Sequence, residues 1–389
     1  MNLRNALLGT TAMLGAAALV VPSSASAFDV NIRGFFNFNV VGGDIQESLG
    51  RNSRSYDFVT DSEIHIEGVN VDDETGIRYG MLVEFETDPQ NGIRTEGLGT
   101  PEVDDDRRDT GGAVIDESYM FIQGGFGGFR LGNEDGAVDN SKIGAYNIAA
   151  GTGGIDGQGV VGSVRFANIN TGDSTKIRYD SPSIAGFTVH GSFTPNAGVE
   201  GNRVVGPNTV DYEDWVETAL VYTNSFGAFD VQAGGTYSFN SGKNGNDDYS
   251  GYNLGAILGF AGFQAAGSYW DDSDAPTGDT SGYTLGAAAT LGPADVSVTW
   301  ADITDADNNE EGSNLVLSAS VGVLPGMSLN GDVAWFDRDE GGDDDGVTGV
   351  LSLFLEQAGL RVETVADGAA ALERLRAGGV DLLVCDLDM

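Results

Sequence analysis

The connections between the apolar segments of this chain alternate between short and long without exception. Short turns recur at 71–75, 124–128, 182–186, 224–228, 260–262, 291–294 and 324–326. Longer polar connections lie between them, at 43–57, 88–116, 133–173, 195–211, 240–248, 271–280, 304–312 and 337–346. A soluble β-sandwich has no reason to sort its connections in this way, whereas a membrane barrel has brief turns at one rim and longer loops at the other. These connections separate about sixteen strands, and an even number lets a single antiparallel chain close.

The segments between the connections alternate between apolar and polar residues. In the first segment the apolar residues share one face, namely Val30, Ile32, Phe36, Phe38 and Val40. Asn31, Arg33, Asn37 and Asn39 fall on the other face. A period of two held for so long indicates strands between an apolar and a polar environment. Charged residues at inward positions require a wet interior, so we predict an all-β, sixteen-stranded antiparallel transmembrane barrel over residues 28–356.

Aromatic residues cluster near the ends of the predicted strands. The positions are Tyr56, Tyr222, Tyr252, Tyr269, Trp270 and Trp300. Membrane barrels carry girdles of aromatic side chains at both interfaces. We therefore expect these residues to face outward at the interfaces.

The third long connection, from Asn133 to about Thr171, far exceeds the roughly 2–5 residues of a hairpin loop. The strand–turn–strand sequence YDSPSIAGF follows it, from Tyr179 to Phe187. Together the long loop and this motif resemble Gram-negative porins of the alphaproteobacterial general type. The resemblance implies that the loop folds inward and narrows a water-filled pore. It also implies a homotrimer in the outer membrane of a Gram-negative bacterium, passing small hydrophilic solutes by passive diffusion.

The first 27 residues carry the features of a cleaved secretory signal. Arg4 supplies the basic start, 6–21 the apolar run, and Ala25-Ser26-Ala27 the small-residue cleavage site, so the mature chain is expected to begin at Phe28. No later run of about eighteen apolar residues is present to form a transmembrane helix. A closed barrel is then the remaining way to span a bilayer, because lipid cannot satisfy open backbone groups.

The chain is strongly acidic, with 59 acidic and 19 basic residues and a formal net charge of −40. That charge argues against nucleic acid as a partner. Most runs of acidic residues fall in the long connections, and we interpret them as solvent-exposed surface of the loops. Divalent cations that bridge them to each other or to lipopolysaccharide phosphates are the alternative. We find no catalytic motif and expect neither an enzyme nor a cofactor; His65 and His190 lack ligand spacing and are interpreted as lumen or structural residues.

The charges near the long loop predict a transverse field across the pore. The loop offers the acidic residues Glu134, Asp135, Asp139 and Asp156. The flanking strands offer the basic residues Arg33, Arg78, Arg130, Lys176 and Arg178. We expect the two sets to face each other and, given the net charge, a preference for cations. An acidic surface protein without a channel remains an alternative class.

The segment 357–389 differs from the rest of the chain. It resembles the first half of a bacterial response-regulator receiver domain, a resemblance that starts near residue 343. By that resemblance Asp386 matches the phosphoacceptor, and Asp343 and Asp344 match the metal-binding acidic pair. The chain stops before the later strands of such a domain, so we expect a short, incomplete and non-functional α/β tail; a phosphorelay protein is the alternative. Residues 346–356 fit both a helix and the last strand, and we expect the strand, because it pairs otherwise open edges.

Overall fold

The computed structural model describes residues 28–42, 56–87, 114–157, 166–197, 212–275, 278–305 and 310–339. The predicted signal segment, the strand at 346–356 and the tail with Asp343, Asp344 and Asp386 lie outside these residues. No helix in the described ranges is long and apolar enough to cross a membrane. Within these described residues, three short 3₁₀ turns lie in the third long connection, at Asp139–Ser141, Ala145–Ile148 and Gly154–Asp156.

The described residues form one sheet of fifteen antiparallel strands in sequence order. The strands are β1 Asp29–Gly42, β2 Tyr56–Val71, β3 Arg78–Glu86, β4 Val114–Gly124, β5 Gly127–Asn133, β6 Thr175–Asp180, β7 Phe187–Thr194, β8 Tyr212–Phe226, β9 Phe229–Gly242, β10 Ser250–Phe260, β11 Phe263–Ser273, β12 Thr280–Leu291, β13 Ala294–Asp305, β14 Glu310–Leu324 and β15 Met327–Asp339. Every strand pairs with the next along the chain, so the predicted all-β antiparallel fold is confirmed.

The seven short turns lie where the sequence predicts them. The turn between β10 and β11 consists of Ala261 and Gly262, with φ angles of 52° and 86°. Positive φ at both central residues gives a turn whose twist matches that of the flanking strands. Such a turn fixes the register of the hairpin, and Phe260 pairs directly with Phe263.

Burial on the two faces of the sheet is the reverse of a soluble protein. On β10 and β12 the apolar Leu254 and Leu285 are 58% and 57% exposed, whereas the polar Asn253 and Thr284 are fully buried. The buried polar row continues on other strands with Glu217, Ser238, Thr299 and Asn314. An apolar face open to the surroundings and a covered polar face are typical of a membrane barrel. We call the covered face the inner face.

One prediction for the aromatic girdle is wrong. Trp270 has no exposed surface, whereas its neighbour Tyr269 is 44% exposed. Consecutive strand residues point to opposite faces, so only one of the two can face outward. Trp270 therefore belongs to the interior, and Tyr269 keeps the interfacial position.

A bulge interrupts the pairing of β3 with β4. Val83 pairs with Ser118 and Phe85 with Ile115, so Glu84 stands opposite both Asp116 and Glu117. An extra residue re-aims side chains locally. Because Ile115 and Ser118 keep the outward pattern, Asp116 and Glu117 both fall on the inner side. The sequence alternation gave no sign of this bulge.

Candidate functional site

The third connection, residues 134–174, crosses the inner face and hydrogen-bonds to strands far along the sheet. Its backbone N–H groups donate to inward side chains: Ala137 to Ser192, Ala145 to Thr284, Ala150 to Ser297, Thr152 to Asp332 and Ile155 to Thr299, at 2.8–3.2 Å. The acceptors lie on β7, β12, β13 and β15. Buried backbone donors need partners, and the wall's serine, threonine and aspartate oxygens supply them. The described part of this connection, which we call the inner loop, therefore packs against the inner face of the sheet.

Glu217 on β8 holds both ends of the inner loop. Its Oε2 accepts from the backbone nitrogen of Val138 at 3.0 Å and from the Ser192 hydroxyl at 3.3 Å. Its Oε1 accepts from the nitrogen and hydroxyl of Thr171, both at 2.7 Å. Glu217 is 1% exposed. One buried carboxylate thus joins the outgoing and returning arms of the loop, a role that the sequence analysis missed.

Apolar side chains anchor the middle of the inner loop. Ile143 and Ile148 pack with Val221, Ile257 and Ala266 of the wall. A second cluster joins Ala145, Tyr146 and Ile155 of the loop to Ala301 and Val316. Where the inner loop contacts the wall, inward alanine, valine and isoleucine side chains therefore interrupt the otherwise polar inner face.

A wall glycine lets the loop backbone approach closely. A Cβ at Gly255 on β10 would lie 1.9 Å from the carbonyl oxygen of Ile143. No side chain fits there, so Gly255 marks a position where the loop backbone packs directly against the sheet.

The base of the inner loop gathers four of the predicted pore residues. Glu134 forms ion pairs with Arg130 and Arg178, the latter at 3.2 Å. The Lys176 ammonium donates to the carbonyl oxygens of Glu134 and Gly172. Glu134, Lys176 and Arg178 are each at least 96% buried. Arg130 and Arg178 thus share the Glu134 carboxylate, and Lys176 holds the backbone at both ends of the loop, so these groups fix the loop base to the wall.

The remaining loop acids lie among other charged groups. Lys142 Nζ lies 2.6 Å from Asp139 Oδ1. Burial acts to raise the pKa of Asp139, but the Lys142 and Lys176 ammonium groups and the hydrogen bonds with Lys142 and Asp135 together hold that pKa below its ordinary value. Burial, reinforced by the Asp139 charge, raises the pKa of Asp135 well above its ordinary value. Asp156 keeps an exposed surface, yet the groups around its carboxylate exclude enough water to raise its pKa to about 6.

Arg33 and Arg78 lie on the wall formed by β1–β5 and make no ion pair with the acidic residues of the loop among the described residues. They line a recess of about 260 Å³ together with Glu67, Leu82, Tyr119, Phe121, Gln123 and Arg130. Arg78 pairs with Glu67, donates to Gln123 at 3.0 Å, and stacks on Phe121 at 4.5 Å. The recess therefore presents guanidinium groups on an aromatic floor.

Carboxylates and a histidine converge on the inner side of β2–β4. Glu63, His65 and Glu84 form one group, and Glu63, Glu86 and Asp116 form a second. Across the bulge, Glu117 meets Asp135 and Asp173 of the inner loop. The spacing of the two histidines gave no ligand motif, because the sheet register and not the local sequence brings these groups together.

A family model described as Gram-negative porin matches residues 10–341. The chain belongs to this family. A search of the curated proteins finds no match. As a member of this family, the chain is a porin, an outer-membrane channel protein.

Solved porin structures share this fold. The anion-selective porin from Comamonas acidovorans is 17% identical, with a TM-score of 0.51 over 79% of this chain and 90% of its own. A mutant of the Rh. blastica porin is 14% identical, and the match has a TM-score of 0.53 and covers 80% of this chain and 100% of the mutant. OmpT of Vibrio cholerae in its trimer form is 11% identical, and the match has a TM-score of 0.53 and covers 80% of this chain and 89% of OmpT. Neither the family match nor these structures support a response regulator.

Proposed function

We propose that this porin is a passive diffusion channel for small hydrophilic solutes and ions, narrowed by residues 133–173. The observation that carries the proposal is the fixation of the inner loop across the inner face, from Ser192 on β7 to Asp332 on β15. A loop held there reduces the open cross-section of a barrel. The mechanism needs no chemical step, since solutes move down their gradient through water.

Selectivity arises from the charges that still face the interior. At the loop base Arg130 and Arg178 share the Glu134 carboxylate, Arg178 also pairs with Asp180, and Lys176 donates to backbone carbonyl oxygens. Asp135, Asp139 and Asp156 on the loop, and Arg33 and Arg78 on the wall, then set the field across the pore. With a net charge of −40, the channel prefers cations.

The assembly is a homotrimer surrounded by outer-membrane lipid and lipopolysaccharide. Support comes from the family and from the trimer form named for OmpT of Vibrio cholerae. The outer face is apolar and exposed, and Phe36 and Leu329 on it are 68% and 70% exposed. This face supplies the surface that lipid or neighbouring subunits cover. The order along the chain is a signal peptide at 1–27, the barrel at 28–356 and the tail at 357–389.

Purified protein in a planar lipid bilayer tests the proposal. We expect stable ion channels and, in a low-salt gradient, a reversal potential of cation-selective sign. A reversal potential of anion-selective sign would overturn the charge assignment, while complete absence of channels from folded protein would favour the acidic surface protein. Liposome swelling with sugars of increasing size then measures the width of the pore.

A further inference from the structure

We propose that His65 and Glu84 bind a divalent transition-metal ion of the zinc class on the pore wall, with Glu63 orienting the histidine. The three residues lie on the inner side of β2 and β3. His65 pairs across the strands with Glu84, and Glu63 stands two residues before it on β2. The site goes beyond passive diffusion, because it gives the channel a specific ligand.

The two ring nitrogens of His65 have different surroundings. Nε2 is hydrogen-bonded to Glu63 Oε2 at 2.7 Å. Nδ1 is shielded from solvent and lies 2.6 Å from Glu84 Oε1, at ion-pair distance. The ligand atoms of Glu63, His65 and Glu84 all lie within 4.8 Å of one another, the convergence that a metal site requires. A metal ion that binds here displaces the ring proton between Nδ1 and Glu84, because a ligating imidazole is neutral.

The arrangement matches the way proteins prepare histidine for metal. A ligating histidine commonly donates its other ring N–H to a carboxylate, which fixes the tautomer and the ring orientation. Glu63 supplies that carboxylate at Nε2, which leaves the Nδ1 lone pair directed toward Glu84. Phe35 packs edge-on against the His65 ring at 6.5 Å and restricts its rotation further. Water completes the coordination from the pore.

The donor set selects the class of ion. One imidazole nitrogen with one carboxylate oxygen suits zinc and neighbouring transition metals, at distances of about 2.0–2.2 Å. Calcium and magnesium prefer oxygen ligands alone. The adjacent Glu86 and Asp116, grouped with Glu63, add negative charge that attracts any dication. The cross-strand neighbour Arg33 opposes this attraction, so an exchangeable site is expected.

Zinc binding to the purified full-length porin, without a polyhistidine tag, tests the proposal directly. Isothermal titration with zinc chloride in detergent should show one zinc site per chain that excess magnesium does not abolish. His65→Ala and Glu84→Gln should each weaken zinc binding by at least about tenfold, and Glu63→Gln by a comparable factor. In bilayers, zinc should shift the reversal potential of the wild type toward anions and leave that of His65→Ala unchanged.

His190→Ala is the matched control. His190 also faces inward, but it contacts one carboxylate, Asp180 at 2.6 Å, and the hydroxyl of Thr188 at 3.2 Å. This variant should bind zinc like the wild type. Wild-type zinc affinity in folded His65→Ala, or no zinc binding by the wild type, would refute the site. Should His65→Ala fail to fold, the near-isosteric Glu84→Gln decides by the same criterion. Calorimetry does not depend on conduction, so it separates this proposal from the proposed channel function.

Discussion

The Oε1 atom of Glu217 lies 2.7 Å from the backbone nitrogen of Thr171, 46 residues earlier in the chain. The other oxygen of the same carboxylate accepts from Val138, on the opposite arm of the inner loop. A side chain on β8 thus closes the loop by holding both of its arms against the wall. The position of the constriction depends on this buried group as much as on the loop's own sequence.

Replacement of Glu217 by glutamine should loosen the inner loop. The amide offers one acceptor oxygen where two are used, so at least one buried N–H loses its partner, at a cost of about 1.5–3 kcal/mol. We expect larger or noisier single-channel currents than in the wild type. Glu213→Gln is the control, because Glu213 lies on the same strand as Glu217 but pairs with the partly exposed Lys243, just after β9. Equal currents in both variants would show that Glu217 does not hold the constriction.

Substitution of Gly255 by alanine should displace the loop at Ile143. The added Cβ would overlap the Ile143 carbonyl oxygen, which has no room to retreat without loss of packing against Ile257. We expect a changed conductance, measured in single channels. Gly322→Ala is the matched control, since a Cβ there has no atom within 4 Å. An unchanged conductance in Gly255→Ala would contradict the close approach.

Cation selectivity should fall as the pH falls through about 6. Asp156 has a pKa raised to about 6, so it carries its charge above that pH and loses it below. Reversal potentials between about pH 8 and pH 5 measure the change. Asp156→Asn should have reduced selectivity at high pH and a smaller pH dependence. A wild-type pH response in this variant would assign the effect to another group.

The buried pair of Glu134 and Arg178 should matter for stability more than the pair of Glu67 and Arg78. Arg178→Met leaves a buried carboxylate with one fewer partner, a loss of up to roughly 3–5 kcal/mol. Arg78→Met breaks a partly exposed pair worth about 0–1 kcal/mol. Heat-modifiability on gels measures the melting of each variant. Glu134→Gln combined with Arg178→Met should recover part of the loss; equal melting of the two single variants would argue against this ranking.

Removal of the predicted tail should leave an intact channel. A chain truncated after Glu356 should fold to a heat-modifiable form with wild-type conductance, because the predicted last strand at 346–356 is retained. Limited proteolysis of the full chain should cleave near 357–360 and give the same product. If truncation abolishes folding, the tail belongs to the barrel and the predicted boundary is wrong.

The pore residues illustrate how far sequence reasoning reaches. The inward position of Arg130, Lys176 and Arg178 follows from strand alternation, and the structure places them there. Their pairing with Glu134 at the loop base does not follow, because alternation gives a face but no distance. The same limit explains Trp270, where an aromatic at a strand end suggested the outer girdle and the register turned it inward.

The sequence by itself determined the strands, their order and the sorting of short and long connections. Those features are local, since a period of two and the length of a connection are written in consecutive residues. Only the tertiary structure decided which strands the inner loop contacts, that Glu217 holds both arms of that loop, and that a bulge turns both Asp116 and Glu117 inward. Each of these depends on groups that are distant in sequence and meet through the register of a curved sheet, and a one-residue shift in that register changes every partner.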